Sequence, residues 1–168
     1  LVKADKLPPV DFSYYDSFFA IARKHGFKSI SFMGPQALFN GPLGCLGKDV
    51  TVDTPEGRRC ACWLVGEWHR YLQKQGFKSI WAKEDDEIKP DEIASYNKIC
   101  DIFQEGGWKT YTTWTGTIPK TPRLIRQVNR NAQQWQMQLL SLDIFRNLVG
   151  KQPQLIDRSD EVWFYGGG

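Results

Sequence analysis

The hydrophobic and polar positions of this chain repeat in one order: an amphipathic helical stretch, a glycine, an aromatic residue and a short apolar run. This order occurs in residues 18–33, 69–84 and 97–114. The glycines of these stretches, Gly26, Gly76 and Gly106, suit the left-handed conformation in which many helices end. The runs after it are rich in β-branched and aromatic residues, so the pattern predicts three successive helix-to-strand units.

Two further strands are predicted over 135–140 and 161–165, each after a stretch of helical character. Strands that alternate with helices indicate a parallel sheet. The strand over 135–140 alternates apolar residues with Gln136 and Gln138, so one of its faces is polar. A polar inner face favours the interior of an enzyme barrel over an open doubly wound sheet, whose strands are usually apolar on both faces.

The expected fold is therefore α/β, a parallel (β/α) TIM-type barrel, with about five of the eight strands that such a barrel needs. Residues 1–168 would form a single partial barrel domain. Because the first and last strands would expose unpaired edges, we expect the chain to be a fragment of a longer protein. Unseen residues or another chain would supply the remaining strands.

Composition narrows the classes of partner. Of the 168 residues 41% are hydrophobic and 24% charged, and the net charge of +3 comes from scattered basic residues. Nucleic-acid binding usually needs a basic stripe, so no nucleic-acid partner is expected. The apolar runs are much shorter than the roughly 20 residues that cross a bilayer, so no membrane span is expected. The localisation stays unknown.

The chain has four cysteines and two histidines. Cys60 and Cys62 fall on a helical pattern, where residues two apart point in different directions and cannot share a metal. Zinc is not supported, and neither a metal nor a cofactor is expected. Small buried thiols are the favoured interpretation, and a disulfide between Cys45 and Cys60 remains an alternative.

Four acidic residues, Glu84 to Glu87, follow the strand predicted over 79–84. Active sites of parallel α/β proteins lie beyond the carboxyl ends of the strands. Close carboxylates drive their pKa values apart, which leaves one of them able to donate a proton as glycoside cleavage requires. Two alternatives stay open: acids that favour the dipole of the next helix, and hard oxygen ligands for Mg²⁺ or Ca²⁺ from Glu84, Asp85 and Asp86.

Aromatic residues make up 14% of the chain. Sugar rings present apolar C–H faces that stack on aromatic planes, and their hydroxyl groups hydrogen-bond to carboxylates and amides. Several such residues lie near the predicted strand ends and are candidates for carbohydrate binding, although each one taken alone suits a core position. The expected substrate-binding residues are Asp85, Trp81, Tyr111, Trp114, Gln136, Gln138, Trp163 and Tyr165.

A strand that ends in an Asp-Glu pair, followed by a helix, GGWKTYTTW (106–114) and DEVWFYGGG (160–168), resembles glycoside hydrolase family 123. The resemblance implies a (β/α)8 barrel that acts as a β-N-acetylgalactosaminidase. It implies substrate-assisted catalysis, in which the acetamido oxygen of the sugar attacks the anomeric carbon. Asp86 would orient and polarise the acetamido group, and Glu87 would be the general acid/base. The family often has proline directly after the pair, whereas this chain has Ile88 and Lys89 before Pro90.

The expected function is that of an enzyme, a glycoside hydrolase that cleaves β-linked 2-acetamido sugars with retention. Asp86 and Glu87 would be its catalytic residues. The alternative is a non-catalytic barrel module that binds carbohydrate or serves as a scaffold in a larger assembly.

Overall fold

A computed structural model of the chain describes residues 7, 9–33, 50–83, 89–114, 134–138 and 161–165. They form three α-helices and five strands, with a 3₁₀ turn (Ser13–Tyr15) before the first helix. The helices are α1 (Asp16–Lys24), α2 (Pro55–Lys74) and α3 (Ile93–Glu105). The strands are β1 (Ser29–Met33), β2 (Ser79–Lys83), β3 (Lys109–Trp114), β4 (Gln134–Gln138) and β5 (Glu161–Tyr165).

Local sequence sets the start of α2. The hydroxyl of Thr54 accepts a hydrogen bond of 3.1 Å from the backbone N–H of Gly57, and Pro55 occupies the first helical position. This cap satisfies one of the donors that every helix start leaves without an intrahelical acceptor. The buried residues of α2 recur every three or four positions, so one stripe of the helix faces the core. They include Cys60, Ala61, Leu64, Val65, Trp68 and Leu72.

Each helix passes into its strand through the same joint. The backbone N–H of Gly26, Gly76 and Gly107 bonds the carbonyl three residues earlier, at 2.9–3.0 Å. The N–H of the next residue bonds the carbonyl five residues earlier, at 3.0–3.2 Å. This pair of bonds is the Schellman motif, which needs a left-handed residue at the glycine. The repeated helix–glycine–aromatic order is therefore a repeated backbone structure.

The third joint corrects one assignment. The sequence predicted Gly106 as the left-handed residue, but Gly107 has the positive φ, at +94°. Position 106 has no room for a side chain, because a Cβ there would lie 2.5 Å from Cγ2 of Val65. The two glycines thus serve different purposes, close approach to α2 and reversal of the chain. Trp108, which follows them, donates a buried hydrogen bond of 2.8 Å to the carbonyl of Val65.

The strands form one open sheet in the order β1-β2-β3-β4-β5. The register of three of them is defined, and β3 pairs with β4 and β4 with β5, both in parallel. The architecture is therefore an α/β fold with three strands of defined parallel pairing. The expected TIM-type barrel with about five of eight strands present is wrong.

The barrel prediction failed because alternating polar and apolar residues do not distinguish a barrel from an open sheet. A barrel closes only when its first and last strands pair, whereas β1 and β5 lie at opposite ends of the strand order in the described residues. Alternating polar and apolar residues indicate two faces of different polarity, and an open sheet satisfies that pattern equally well. In β3 the consecutive residues Thr110 and Tyr111 are 0% and 7% exposed, so that strand is covered on both faces, as in layered α/β folds.

The chain divides into two compact units. One comprises Leu1–Ala82 with Ile102–Lys109, and the other comprises Lys83–Asp101 with Thr110–Gly168. In the first unit, aromatic side chains of α1 and α2 pack around Phe19, whose ring centroid lies 5.4 Å from that of Phe77 and 5.8 Å from that of Tyr71. The hydroxyl of Tyr71 and the amide of Gln75 both donate to Asp16, at 2.6 and 2.9 Å.

Among the helices in the described part of the chain, none combines the length and the apolar character that crossing a bilayer would require. The longest, α2, has charged residues on its exposed side, including Glu67 and Arg70, which form an ion pair.

We predict that Gly106→Ala lowers the free energy of unfolding by about 1–3 kcal/mol, because the new methyl group meets Val65. In a Val65→Ala background the same substitution should cost less, since the clashing methyl group is gone. Urea unfolding of the four proteins in this cycle measures the coupling.

Gly26→Ala is the matched control, because a Cβ there meets no described atom within 4 Å. Its cost of about 1 kcal/mol comes from the left-handed backbone and should be the same with Val65 or Ala at position 65. Equal costs of Gly106→Ala in the two backgrounds would contradict the packing explanation.

Candidate functional site

The register of β3, β4 and β5 groups most of the residues expected to bind substrate. Thr113 pairs with Gln136, Gln136 pairs with Trp163, and Gln138 pairs with Tyr165. Residues paired across neighbouring strands lie on the same face of a sheet, as do residues two apart in one strand. We call the positions of Gln136, Gln138, Trp163 and Tyr165 the β4–β5 face.

Two other candidates on β3 differ in position. Tyr111 pairs with Gln134, so it shares the β4–β5 face, whereas Trp114 pairs with Met137 and lies on the opposite face. Tyr111 is only 7% exposed. A buried side chain offers no ring plane to a ligand, so the structure favours a core role for Tyr111. The register therefore separates Trp114 from the other candidates.

Trp81 is a half-buried residue of β2. Its indole N–H donates a hydrogen bond of 2.7 Å to the hydroxyl of Ser79, which fixes the orientation of the ring. The ammonium group of Lys109 lies 4.9 Å from the ring centroid, a cation–π contact. A sugar that stacked on that face of Trp81 would have to displace Lys109.

The three acidic candidates, Asp85, Asp86 and Glu87, lie outside the described residues. What the structure gives is the element before them: β2 ends at Lys83, so in the sequence Asp86 and Glu87 follow its carboxyl end by three and four residues. Residues 89–92 resume the described chain, where the backbone N–H of Lys89 donates 2.9 Å to the carboxylate of Glu92. That hydrogen bond lowers the pKa of Glu92.

Among the described residues, no group of three or more histidine, cysteine or acidic side chains is arranged to hold a metal ion. Cys60, Cys62 and Cys100 are thiols rather than halves of disulfides. The alternative of a Cys45–Cys60 disulfide involves Cys45, which lies outside the described residues. Cys60 and Cys100 are buried, as the sequence predicted, but Cys62 is partly exposed.

The exposed side of Cys62 belongs to a polar group that the sequence did not reveal. Its thiol donates a hydrogen bond of 3.1 Å to the carboxylate of Glu105, and Arg58 forms an ion pair with the same carboxylate. Arg58 and Cys62 are four residues apart on α2 and so lie on one face. Glu105 lies at the end of α3, 43 residues after Cys62. Only tertiary packing brings it there.

This polar group changes the acidity of its members. Burial, and then the hydrogen bond to Glu105, raise the pKa of Cys62 to about 11. The same hydrogen bond, together with Arg58, lowers the pKa of Glu105. A nucleophilic cysteine needs a lowered pKa, so Cys62 is not a candidate nucleophile.

His69 is a further titratable side chain of this unit, and it packs beside Trp108. Its ring lies 6.2 Å from that of Trp108, and a Cβ at Gly107 would be 3.0 Å from its Nδ1. Burial, and then the charge of Arg70, lower the pKa of His69 below 6.5. This shift favours the neutral imidazole, and the close packing of the ring explains why Gly107 has no room for a side chain.

Comparison of the sequence with protein-family models and with curated proteins found no match in either case. The resemblance to glycoside hydrolase family 123 therefore rests on the quoted residues alone.

We predict that Cys62 reacts slowly with iodoacetamide at pH 8 and that its rate rises with a midpoint near pH 11, because only the thiolate is the nucleophile. Glu105→Gln removes a negative charge that opposes the thiolate, so the midpoint should fall, while burial still keeps it above 9.0. Mass spectrometry of the peptide that contains Cys62 follows the reaction.

Glu67→Gln is the control, because Glu67 pairs with Arg70 elsewhere on α2. It should leave the alkylation profile of Cys62 unchanged. A midpoint that is the same in Glu105→Gln and in the original protein would show that the Cys62–Glu105 hydrogen bond does not hold the proton.

Proposed function

We propose that this chain binds β-linked 2-acetamido sugars and hydrolyses them by a substrate-assisted, retaining mechanism. The observation that supports it best is the register of the β4–β5 face, where Gln136 lies beside Trp163 and Gln138 beside Tyr165. Each pair combines an amide, which exchanges hydrogen bonds with sugar hydroxyls, with an aromatic ring that can cover the apolar face of a sugar. Ligand sites commonly combine aromatic side chains with a few polar groups that fix the orientation of the ligand.

The catalytic part of the proposal concerns Asp86 and Glu87, beyond the carboxyl end of β2. Glu87 would protonate the departing glycosidic oxygen while the acetamido oxygen of the substrate attacks the anomeric carbon. Asp86 would hold and polarise the acetamido group during this attack. Water, activated by Glu87 as a base, would then open the intermediate with retention. Two adjacent carboxylates suit these roles, since their repulsion keeps one protonated and the other ionised.

A carbohydrate-binding module without catalysis is the second candidate. The β4–β5 face favours it, because glutamine and aromatic side chains can bind a sugar but cannot supply a proton of the required acidity. On this candidate Asp86 and Glu87 have no chemical role, and sugar affinity resides in β4 and β5.

Catalysis is tested by the hydrolysis of an aryl β-N-acetylgalactosaminide. We expect Glu87→Gln to reduce kcat/KM by about 10²–10⁴-fold, the usual contribution of a general acid/base. Asp86→Asn should reduce it for the acetamido substrate because the neighbouring-group attack is no longer supported.

Glu84→Gln removes an acid from the same run of residues and serves as the control, with little expected change. Turnover that survives Glu87→Gln would reject the assigned role. Absence of turnover on any 2-acetamido sugar, with binding retained, would select the non-catalytic candidate.

Binding is tested separately by titration calorimetry with a 2-acetamido sugar and the inactive Glu87→Gln protein. Trp163→Ala should weaken binding about tenfold or more, since it removes the aromatic surface beside Gln136. Phe164→Ala is the matched control: its neighbour in the register is Met137, on the opposite face of the sheet. Equal losses in the two variants would contradict the β4–β5 face as the site.

A further inference from the structure

An apolar strip runs along the outside of α1. Tyr14, Phe18 and Ile21 are 85%, 63% and 61% exposed, and Phe27, just after the helix, is 60% exposed. Phe18 and Ile21 are three residues apart and lie on one side of α1, and Tyr14 lies in the 3₁₀ turn that precedes the helix. Phe19, on another side, is fully buried. We call these four exposed residues the α1 strip; several large apolar side chains exposed on one element are a feature that marks interaction sites.

The second helix-to-strand joint shows how an aromatic residue in the position of Phe27 can be buried. Phe27 and Phe77 occupy the same place, directly after the left-handed glycine, and both form the same backbone hydrogen bond. Phe77 is only 4% exposed, because Phe19 of α1 packs against it. Phe27 is the counterpart that no described helix covers. At the Gly76 joint the aromatic residue is thus covered by a helix that carries an aromatic side chain on the facing side.

The charges around the α1 strip indicate which helix fits. An acidic residue, Asp11, lies before the amino end of the strip, and two basic residues, Lys24 and Lys28, lie at its carboxyl end; all three are exposed. If a second copy of α1 lies antiparallel on the first, Phe18 of each copy faces Ile21 of the other, and Asp11 approaches Lys28. A parallel arrangement would instead bring like charges together. The strip is therefore complementary to itself, as a two-fold interface requires.

We infer that the α1 strip is the contact through which two copies of this chain associate, with their α1 helices antiparallel across a two-fold axis. The apolar residues in the middle supply the burial, and Asp11 and Lys28 fix the direction. This contact is independent of the proposed hydrolysis, because it uses no residue of β2, β4 or β5.

Sedimentation velocity over a range of protein concentrations tests the association. The original protein should show a concentration-dependent dimer, and Phe18→Glu should raise its dissociation constant about tenfold or more, because a charge would be buried at the centre of the contact. Ala20→Glu places the same charge at an exposed position of α1 away from the strip. It should leave the dimer intact. Circular dichroism confirms that both variants fold.

The direction of packing is tested by exchanging charges. Asp11→Lys and Lys28→Asp should each weaken the dimer severalfold, since like charges then meet at both ends of the contact. The double variant restores opposite charges and should return the dissociation constant to within about twofold of the original. A protein that stays monomeric at every concentration, a dimer unaffected by Phe18→Glu, or a double variant no stronger than the single ones would each overturn the inference.

Discussion

The constraint on which the described structure depends is the sharp reversal between each helix and its strand. The reversal needs a left-handed residue, which glycine adopts without steric cost, and places the next residue beneath the preceding helix. Phe77 and Trp108 use that position to enter the core, at 4% and 2% exposure. Trp108 also donates a hydrogen bond to the middle of α2. Helix end, chain direction and core packing are therefore set by one short motif.

The same motif does not bury every residue that follows it. Phe77 and Trp108 pack into the core, whereas Phe27, after the first of the three glycines, is 60% exposed. Polar groups elsewhere in the first unit do structural work: Asp16 joins α1 to α2 through Tyr71 and Gln75, and Glu105 joins α3 to α2 through Arg58 and Cys62.

Several features were predictable because they depend on neighbours in the sequence. The glycine joints, the helical stripe of α2 and the positions of the strands follow from spacing and from residue types with strong local preferences. Other features depend on distant residues. Gly106 and Gly107 are equivalent in the sequence, and only contact with Val65 and His69 gives them different roles. Tyr111 had the same pattern as an exposed platform, but packing buries it, and Lys109 occupies one face of Trp81.

By itself, the sequence determined that helix and strand alternate up to β3 and that each helix ends at or next to a glycine, because backbone conformation responds to residues within one or two turns. The tertiary structure decided that the sheet is open rather than a closed barrel, because closure depends on pairing between strands that are far apart in the chain. It also decided which members of β3, β4 and β5 share a face, since a shift of one residue in register would exchange the two faces. The pattern of single strands contains no information about that register.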